Sequence, residues 1–171
     1  MNLYKYERLV FSLAIGGLLL LGLFALLHGT SQIARADPGD LFVEPGGSGT
    51  ACSQANPCSL QTALDNATGG DTIYVATGVY TGTGAAVVTV TQSITIYGGW
   101  DGIATTPPVR DPALYPSTLD GENGRRGVYI SGDITPTMDG FIITGGNASN
   151  AAADPGRGGG IYSDGGSPVI V

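Results

Sequence analysis

The side chains that most often carry enzyme chemistry are scarce in this sequence. The only histidine is His28, no lysine follows Lys5, and the only cysteines are Cys52 and Cys58. A serine–histidine–aspartate triad, a cysteine–histidine pair and a histidine zinc site all require histidine, and a Schiff base requires lysine. After residue 36 the chain therefore offers carboxylates, arginines and hydroxyl groups for chemistry.

Three aromatic residues, Tyr97, Trp100 and Tyr115, flank or lie within a proline-rich segment, residues 98–116. Together they are candidates for a surface that stacks on sugar rings. The alternative is that Trp100 packs beneath the segment and only stabilises it, because large aromatic rings contribute most when they are buried. The residue types are compatible with both interpretations.

Cys52 and Cys58 lie in a segment rich in Gly, Ser, Asn and Pro. In an oxidising compartment such a close pair forms a local disulfide, which contributes about 2 kcal/mol by the chain-entropy estimate. A redox pair would need Cys-x-x-Cys spacing, and a metal site would need further ligands. We therefore expect a structural disulfide between these two residues.

Residues 1–36 have the pattern of an export signal. A basic start is followed by the apolar run 9–27, and an Ala-x-Ala site places cleavage between Ala36 and Asp37. The alternative is an uncleaved membrane anchor, since the run approaches the roughly 20 residues that a spanning helix needs. In both cases the rest of the chain is exported, so we expect an extracellular or cell-surface protein.

The exported part is strongly acidic. Beyond residue 36 the sequence contains four arginines against 13 acidic residues, a net charge of −9. Such a surface repels phosphate backbones, which argues against nucleic acid as a partner. Contact with a membrane is expected only through the leader, if it is not cleaved.

Short runs of alternating apolar and polar residues recur along the chain and predict strands with one buried face. We align successive runs as stacked coils: Ile73–Ala76 with Thr118–Gly121, Val87–Val90 with Val128–Ser131, and Ile94–Tyr97 with Phe141–Thr144. Residues 98–116 interrupt the rhythm as an excursion between coils. A third coil begins near residue 160, and we expect further coils after Val171. Stacked repeats of this kind indicate a solenoid.

Residues 37–70 are predicted to cap the first coil of the repeat region, residues 71–171. Phe42 and Val43 form a first strand, and the disulfide follows. A helix of about two turns then starts at Ser59, a favourable N-cap residue, and stops at Gly69 and Gly70. A helix this short is unstable alone, so it must lie on the open end of the core.

The motifs GDTIYVATGVYTG, ITIYGGWDG, TLDG, DGFIITGGNA and GGGIYSDGGSPVIV resemble the N-terminal portion of bacterial secreted proteins of the pectate-lyase-like superfamily. The string Gly158-Gly159-Gly160-Ile161 also resembles the GGAI-type repeat of polymorphic outer-membrane proteins. The resemblance implies an all-β, right-handed parallel β-helix with a short N-terminal capping helix. It does not select an activity, because that superfamily holds lyases, hydrolases, adhesins and surface proteins.

Lyases of this superfamily hold Ca²⁺ with clustered acids and use an arginine to accept the proton. Asp120 and Asp139, each in a Thr-x-Asp-Gly string, are the candidate Ca²⁺ ligands, with Arg125 and Arg126 as neighbouring arginines. The simpler interpretation is that each aspartate caps a turn before glycine, by accepting a hydrogen bond from its own backbone. An inverting glycosidase would instead need two carboxyl groups roughly 6.5–9.5 Å apart.

Two functions follow from these observations. The first is an exported β-helix segment with a structural or adhesin-like role, because this stretch contains no evident catalytic set. The second is the N-terminal part of a carbohydrate-active enzyme, a polysaccharide lyase or glycoside hydrolase, with its active coils downstream. A polysaccharide or cell-surface glycan is the expected partner, and Ca²⁺ is the one cofactor considered.

Overall fold

A computed structural model describes residues 39–149, 151–152 and 154–171. The proposed export signal and its cleavage site between Ala36 and Asp37 lie outside the described residues. In the part of the chain that is described, no helix is long and apolar enough to cross a membrane.

The described residues form one short helix and ten strands, so the prediction of a mainly β protein is confirmed. In chain order these are β1 (Asp40–Val43), α1 (Leu60–Asn66), β2 (Thr72–Ala76), β3 (Gly78–Tyr80), β4 (Ala86–Val90), β5 (Thr95–Trp100), β6 (Ser117–Ser131), β7 (Thr137–Asp139), β8 (Phe141–Gly146), β9 (Ile161–Asp164) and β10 (Val169–Ile170).

The strands pair in three ladders, and every strand pairing is parallel. The first ladder has the order β1-β2-β5-β7-β10. In the second ladder β3 and β8 pair with the first part of β6, and in the third β4 and β9 pair with its last part. The chain visits first, second and third ladder in this order three times, and β10 then returns to the first.

The predicted alignment of the runs was wrong for two of its three pairs. Residues 94–97 pair with β7 in the first ladder, whereas β8 pairs with β6 in the second, so the expected stacking of 94–97 on Phe141–Thr144 does not occur. Likewise Ile73 pairs with Ile96, not with the run at 118–121. The third pair joins the right strands, but Val88 lies opposite Val128, one residue from the predicted register.

The error has a physical origin in two elements. Strand β3 has only three residues, too few for an alternating pattern, yet it forms a ladder position of its own. The excursion was predicted over residues 98–116 and between coils, whereas residues 98–100 belong to β5 and the excursion, residues 101–116, connects β5 in the first ladder to β6 in the second. Both effects shift the assignment of every later run.

The core is built from aliphatic residues at equivalent register positions of successive strands. In the first ladder Leu41, Ile73, Ile96, Met138 and Ile170 form one such row. The three central members are at most 2% exposed, while Leu41 is half-buried and Ile170 is exposed. Tyr80 and Leu119 in the second ladder, and Val88, Val90, Val128 and Ile130 in the third, belong to the same buried cluster. Each strand thus covers the apolar side chains of its neighbour.

The connections between the first and second ladders differ greatly in length without disturbing the register. Thr77 alone links β2 to β3 and Gly140 alone links β7 to β8, whereas residues 101–116 link β5 to β6. Ser117, fully buried, stabilises this long connection, because its hydroxyl bonds the carbonyl oxygens of Val75 and Ala76 and the N–H of Gly99, at 2.9 to 3.0 Å. A side chain at Gly98 would collide with the Gly140 carbonyl.

The segment before β2 has the predicted disulfide and helix. Cys52 and Cys58 are bonded and fully buried, and the N–H of Cys58 donates to the Phe42 carbonyl at 2.9 Å. The Ser59 side chain accepts a hydrogen bond from the Thr62 N–H, which confirms it as N-cap. The helix ends at Asn66, earlier than predicted, and packs against β1 and β4 with its buried residues Leu60 and Ala63.

Asp71 ties this segment to the start of β2. Its carboxylate accepts hydrogen bonds from the N–H of Gly39 at 2.9 Å and from the N–H and hydroxyl of Thr68 at 2.8 and 3.0 Å. Burial alone would raise the pKa of Asp71, but these hydrogen bonds outweigh burial and lower it from the ordinary 3.8.

Truncating an isoleucine of the core row should lower the free energy of unfolding much more than truncating an isoleucine outside it. We expect Ile96→Ala to lower the free energy of unfolding by about 2–5 kcal/mol, because it leaves a cavity in the row, and Ile142→Ala by less than about 1 kcal/mol. Ile96 is fully buried, whereas Ile142 is 52% exposed. Urea unfolding followed by the fluorescence of the buried Trp100 measures both, and equal losses would contradict the proposed core.

Candidate functional site

The outer face of the first ladder carries a row of aromatic side chains. Phe42, Tyr74, Tyr97 and Asp139 occupy equivalent register positions, one residue after the buried aliphatic row. They therefore project to the opposite face of the strands. The Phe42 and Tyr74 rings are stacked at 5.3 Å and 11°, and those of Tyr74 and Tyr97 are 5.8 Å apart at 50°.

Arg110 joins this row from the excursion 101–116. Its guanidinium lies 4.5 Å from the Tyr97 ring centroid, and its Nε donates to the Gly98 carbonyl at 2.6 Å. It also makes a two-pronged ion pair with Asp139, with Nη2 to Oδ1 at 2.8 Å and Nη1 to Oδ2 at 3.0 Å. A planar guanidinium is suited to this combination of ring stacking, hydrogen bonding and ion pairing. Arg110 thus attaches the excursion to both β5 and β7.

Within this row, the pKa of Tyr74 is shifted. Burial, the nearby Asp40 carboxylate and Tyr97 raise its pKa above the ordinary 10.0, and the positive charge of Arg110 opposes them. The hydroxyl therefore remains neutral at physiological pH.

The structure does not support the predicted sugar-stacking surface of Trp100, Tyr97 and Tyr115. Trp100 is completely buried, with its ring 5.1 Å from that of Phe42 and its Nε1–H directed at the Ile103 carbonyl at 3.3 Å. Its ring therefore packs inside the protein, which is the arrangement that the packing interpretation describes. Tyr97 is covered by Tyr74 on one side and by Arg110 on another. Tyr115 is half-buried, and among the described residues it makes no ring contact with the row.

The two candidate Ca²⁺ ligands lie on different ladders and have separate roles. The Asp120 carboxylate accepts the Glu122 N–H at 2.8 Å, the turn contact expected of an aspartate before glycine. It precedes Glu122 and Asn123, whose positive φ angles of 52° and 56° bend β6 from the second to the third ladder. Asp139 is paired with Arg110. In the described residues no three His, Cys, Asp or Glu side chains converge as a metal site would require.

The two arginines next to Asp120 are also engaged. Arg125 lies 3.3 Å from the Glu122 carboxylate. Arg126 is only 2% exposed, and its Nη2 donates to the carbonyl oxygens of Asp154 at 2.8 Å and Arg157 at 3.1 Å. Its guanidinium lies 4.5 Å from the Tyr162 ring centroid. Arg126 therefore holds the loop between β8 and β9 as Arg110 holds the excursion, which does not suit a proton acceptor.

Of the predicted site residues, the structure brings Tyr97, Trp100 and Asp139 to one region and leaves Asp120 and Tyr115 apart from it. Arg110 was missed as a member of this region. The available signal was its position, since it is the one cation in the proline-rich excursion of an acidic chain. No protein-family model, curated protein or solved structure matches this chain.

The Arg110–Asp139 pair should be coupled energetically, and a second pair provides the control. A double-mutant cycle of Arg110→Ala and Asp139→Ala should give a coupling energy of about 1 kcal/mol, the upper end for partly exposed pairs. The same cycle on Arg125 and Glu122, a single contact to a 49% exposed carboxylate, should give less than about 0.5 kcal/mol. Urea unfolding measures both cycles. Equal coupling energies would show that Arg110 does not anchor the excursion.

Proposed function

We propose that this chain is an exported, right-handed parallel β-helix segment with a structural or adhesin-like role. The observation that carries the proposal is the repeated visit to three parallel ladders in one order and one register. Right-handed connections are the strong preference for parallel strands in one sheet. The pectate-lyase-like motifs quoted above support the same architecture.

The use of the charged side chains supports a scaffold over a catalyst. In the described residues Arg110, Arg126 and Asp139 attach loops to the coils, and Asp120 fixes a turn. A lyase or glycosidase needs carboxylates and arginines that converge on open space. The net charge of −9 beyond residue 36 also disfavours close approach of polyanionic substrates such as polyuronates.

Export is supported by the leader pattern and by the disulfide. A buried Cys52–Cys58 bond fits an oxidising compartment. When the chain is expressed with its leader in a bacterium that has a general secretion pathway, N-terminal sequencing of the secreted fraction should begin at Asp37. Recovery only in the membrane fraction with an intact leader would support the anchor instead, and recovery only in the cytosol would contradict export.

A depolymerisation assay tests the scaffold role. Incubation of the purified chain with polygalacturonate and Ca²⁺ should yield no unsaturated oligosaccharide and no loss of polymer length. The matched control replaces Ca²⁺ with a chelator, which would abolish any Ca²⁺-dependent lyase reaction. Product that forms only with Ca²⁺ would overturn the scaffold proposal and favour the polysaccharide lyase.

A further inference from the structure

A cavity of about 330 Å³ lies between the N-terminal segment and the first coil. Three stretches form its walls: residues 44–46 after β1, residues 59–61 at the start of α1, and residues 79–83 with Val87 around the β3–β4 connection. The volume is near the lower end of the range for ligand pockets, about 300–1,000 Å³, and suits a ligand of one small ring.

The walls combine apolar surface with hydrogen-bonding groups. Pro45, Leu60, Val79 and Val87 contribute carbon surface, and Val79 is 61% exposed at the opening. Polar groups come from Glu44, Ser59, Gln61, Thr81 and Thr83. This mixture matches a molecule that carries both C–H faces and hydroxyl groups, whereas a purely aliphatic ligand would leave the polar groups without partners.

Glu44 is the only charged residue in the lining, and among the described residues no cation pairs with it. Burial, and then the negative charge of Glu44, raise the pKa of the neighbouring Tyr80, whose hydroxyl donates to the Ala76 carbonyl at 2.9 Å. The half-buried carboxylate is thus available to accept hydrogen bonds from a ligand. An anionic ligand would be repelled there.

The walls are held in place before any ligand binds. The Glu44 N–H donates to the Cys58 carbonyl at 3.2 Å, next to the disulfide, and the Glu44 carbonyl accepts the Gly47 N–H at 3.0 Å. On the opposite wall the Ser59 hydroxyl is bonded to Thr62. A preformed site avoids the cost of ordering loops upon binding.

We propose that this cavity binds one uncharged sugar ring of a glycan. Hydroxyl groups of the ring donate to the Glu44 carboxylate and bond the hydroxyls of Thr81 and Thr83, while a C–H face rests on Val79 and Leu60. Uronic acids and other anionic sugars are excluded by Glu44. This adds a ligand site to the proposed scaffold. Its failure would leave the scaffold tests unaffected, because those read the N-terminus and the polymer length.

The chain offers a matched pair of blocking variants. Val79 and Ile142 occupy equivalent register positions on the second ladder, two strands apart, and both are more than half exposed. Val79→Trp places a bulky ring at the cavity opening, whereas Ile142→Trp makes the same kind of change away from it. For the charge, Glu44→Gln is compared with Asp133→Asn, an exposed acid outside the lining.

Saturation-transfer NMR of the full chain with methyl β-glucoside, methyl β-galactoside and methyl α-mannoside tests the proposal, with galacturonate and hexanol as contrasting probes. We expect at least one neutral glycoside to bind, galacturonate not to bind, and at least a tenfold loss of affinity in Val79→Trp. Glu44→Gln should weaken neutral binding and admit galacturonate, while Ile142→Trp and Asp133→Asn bind like the parent. Unchanged urea midpoints of the variants confirm that they are folded.

Three results would overturn the proposal. The first is the absence of binding for all three neutral glycosides. The second is binding that survives in Val79→Trp, which would place the ligand elsewhere. The third is equal or tighter binding of hexanol or galacturonate, because the polar groups and the charge of the cavity would then have no selective role.

Discussion

The structure depends on the vertical stacking of aliphatic side chains across parallel strands. Ile73, Ile96 and Met138 are buried only because each covers the next along the first ladder. No single strand has a core of its own, so the stability of each strand depends on the strands paired with it. The same constraint explains α1, a helix too short to be stable alone that buries Leu60 and Ala63 at the start of the stack.

The cationic side chains that attach loops to the strands are arginines. Beyond residue 36 the chain has only four arginines, and two of them fasten the loops 101–116 and 147–160 to the strands. Arg110 uses Tyr97, the Gly98 carbonyl and Asp139, and Arg126 uses Tyr162 and the carbonyl groups of Asp154 and Arg157. A guanidinium can stack and donate several directed hydrogen bonds at once, which a lysine ammonium cannot. A few arginines therefore hold the outer loops in place on a chain that carries mostly negative charge.

Local sequence signals predicted the features that depend on neighbours in the chain. The disulfide, the N-cap at Ser59 and the turn at Asp120 each follow from a short motif, whereas residue type did not decide whether Trp100 is buried. The strand register does not follow from local signals, because parallel pairing joins residues tens of positions apart and a three-residue strand leaves no periodic pattern. The Arg110–Asp139 pair could not be predicted for the same reason, because only the tertiary fold brings the two residues together.

The unequal connections between the first and second ladders have an evolutionary consequence. The strands of the second ladder start in the same register although the connections that lead to them have one, sixteen and one residues: Thr77, residues 101–116 and Gly140. Lengthening a flexible loop costs little free energy, about 0.6 kcal/mol for each doubling. Insertions and deletions in these connections can therefore accumulate without changing the strand register. Related chains could thus differ in their surface loops while they keep the same core.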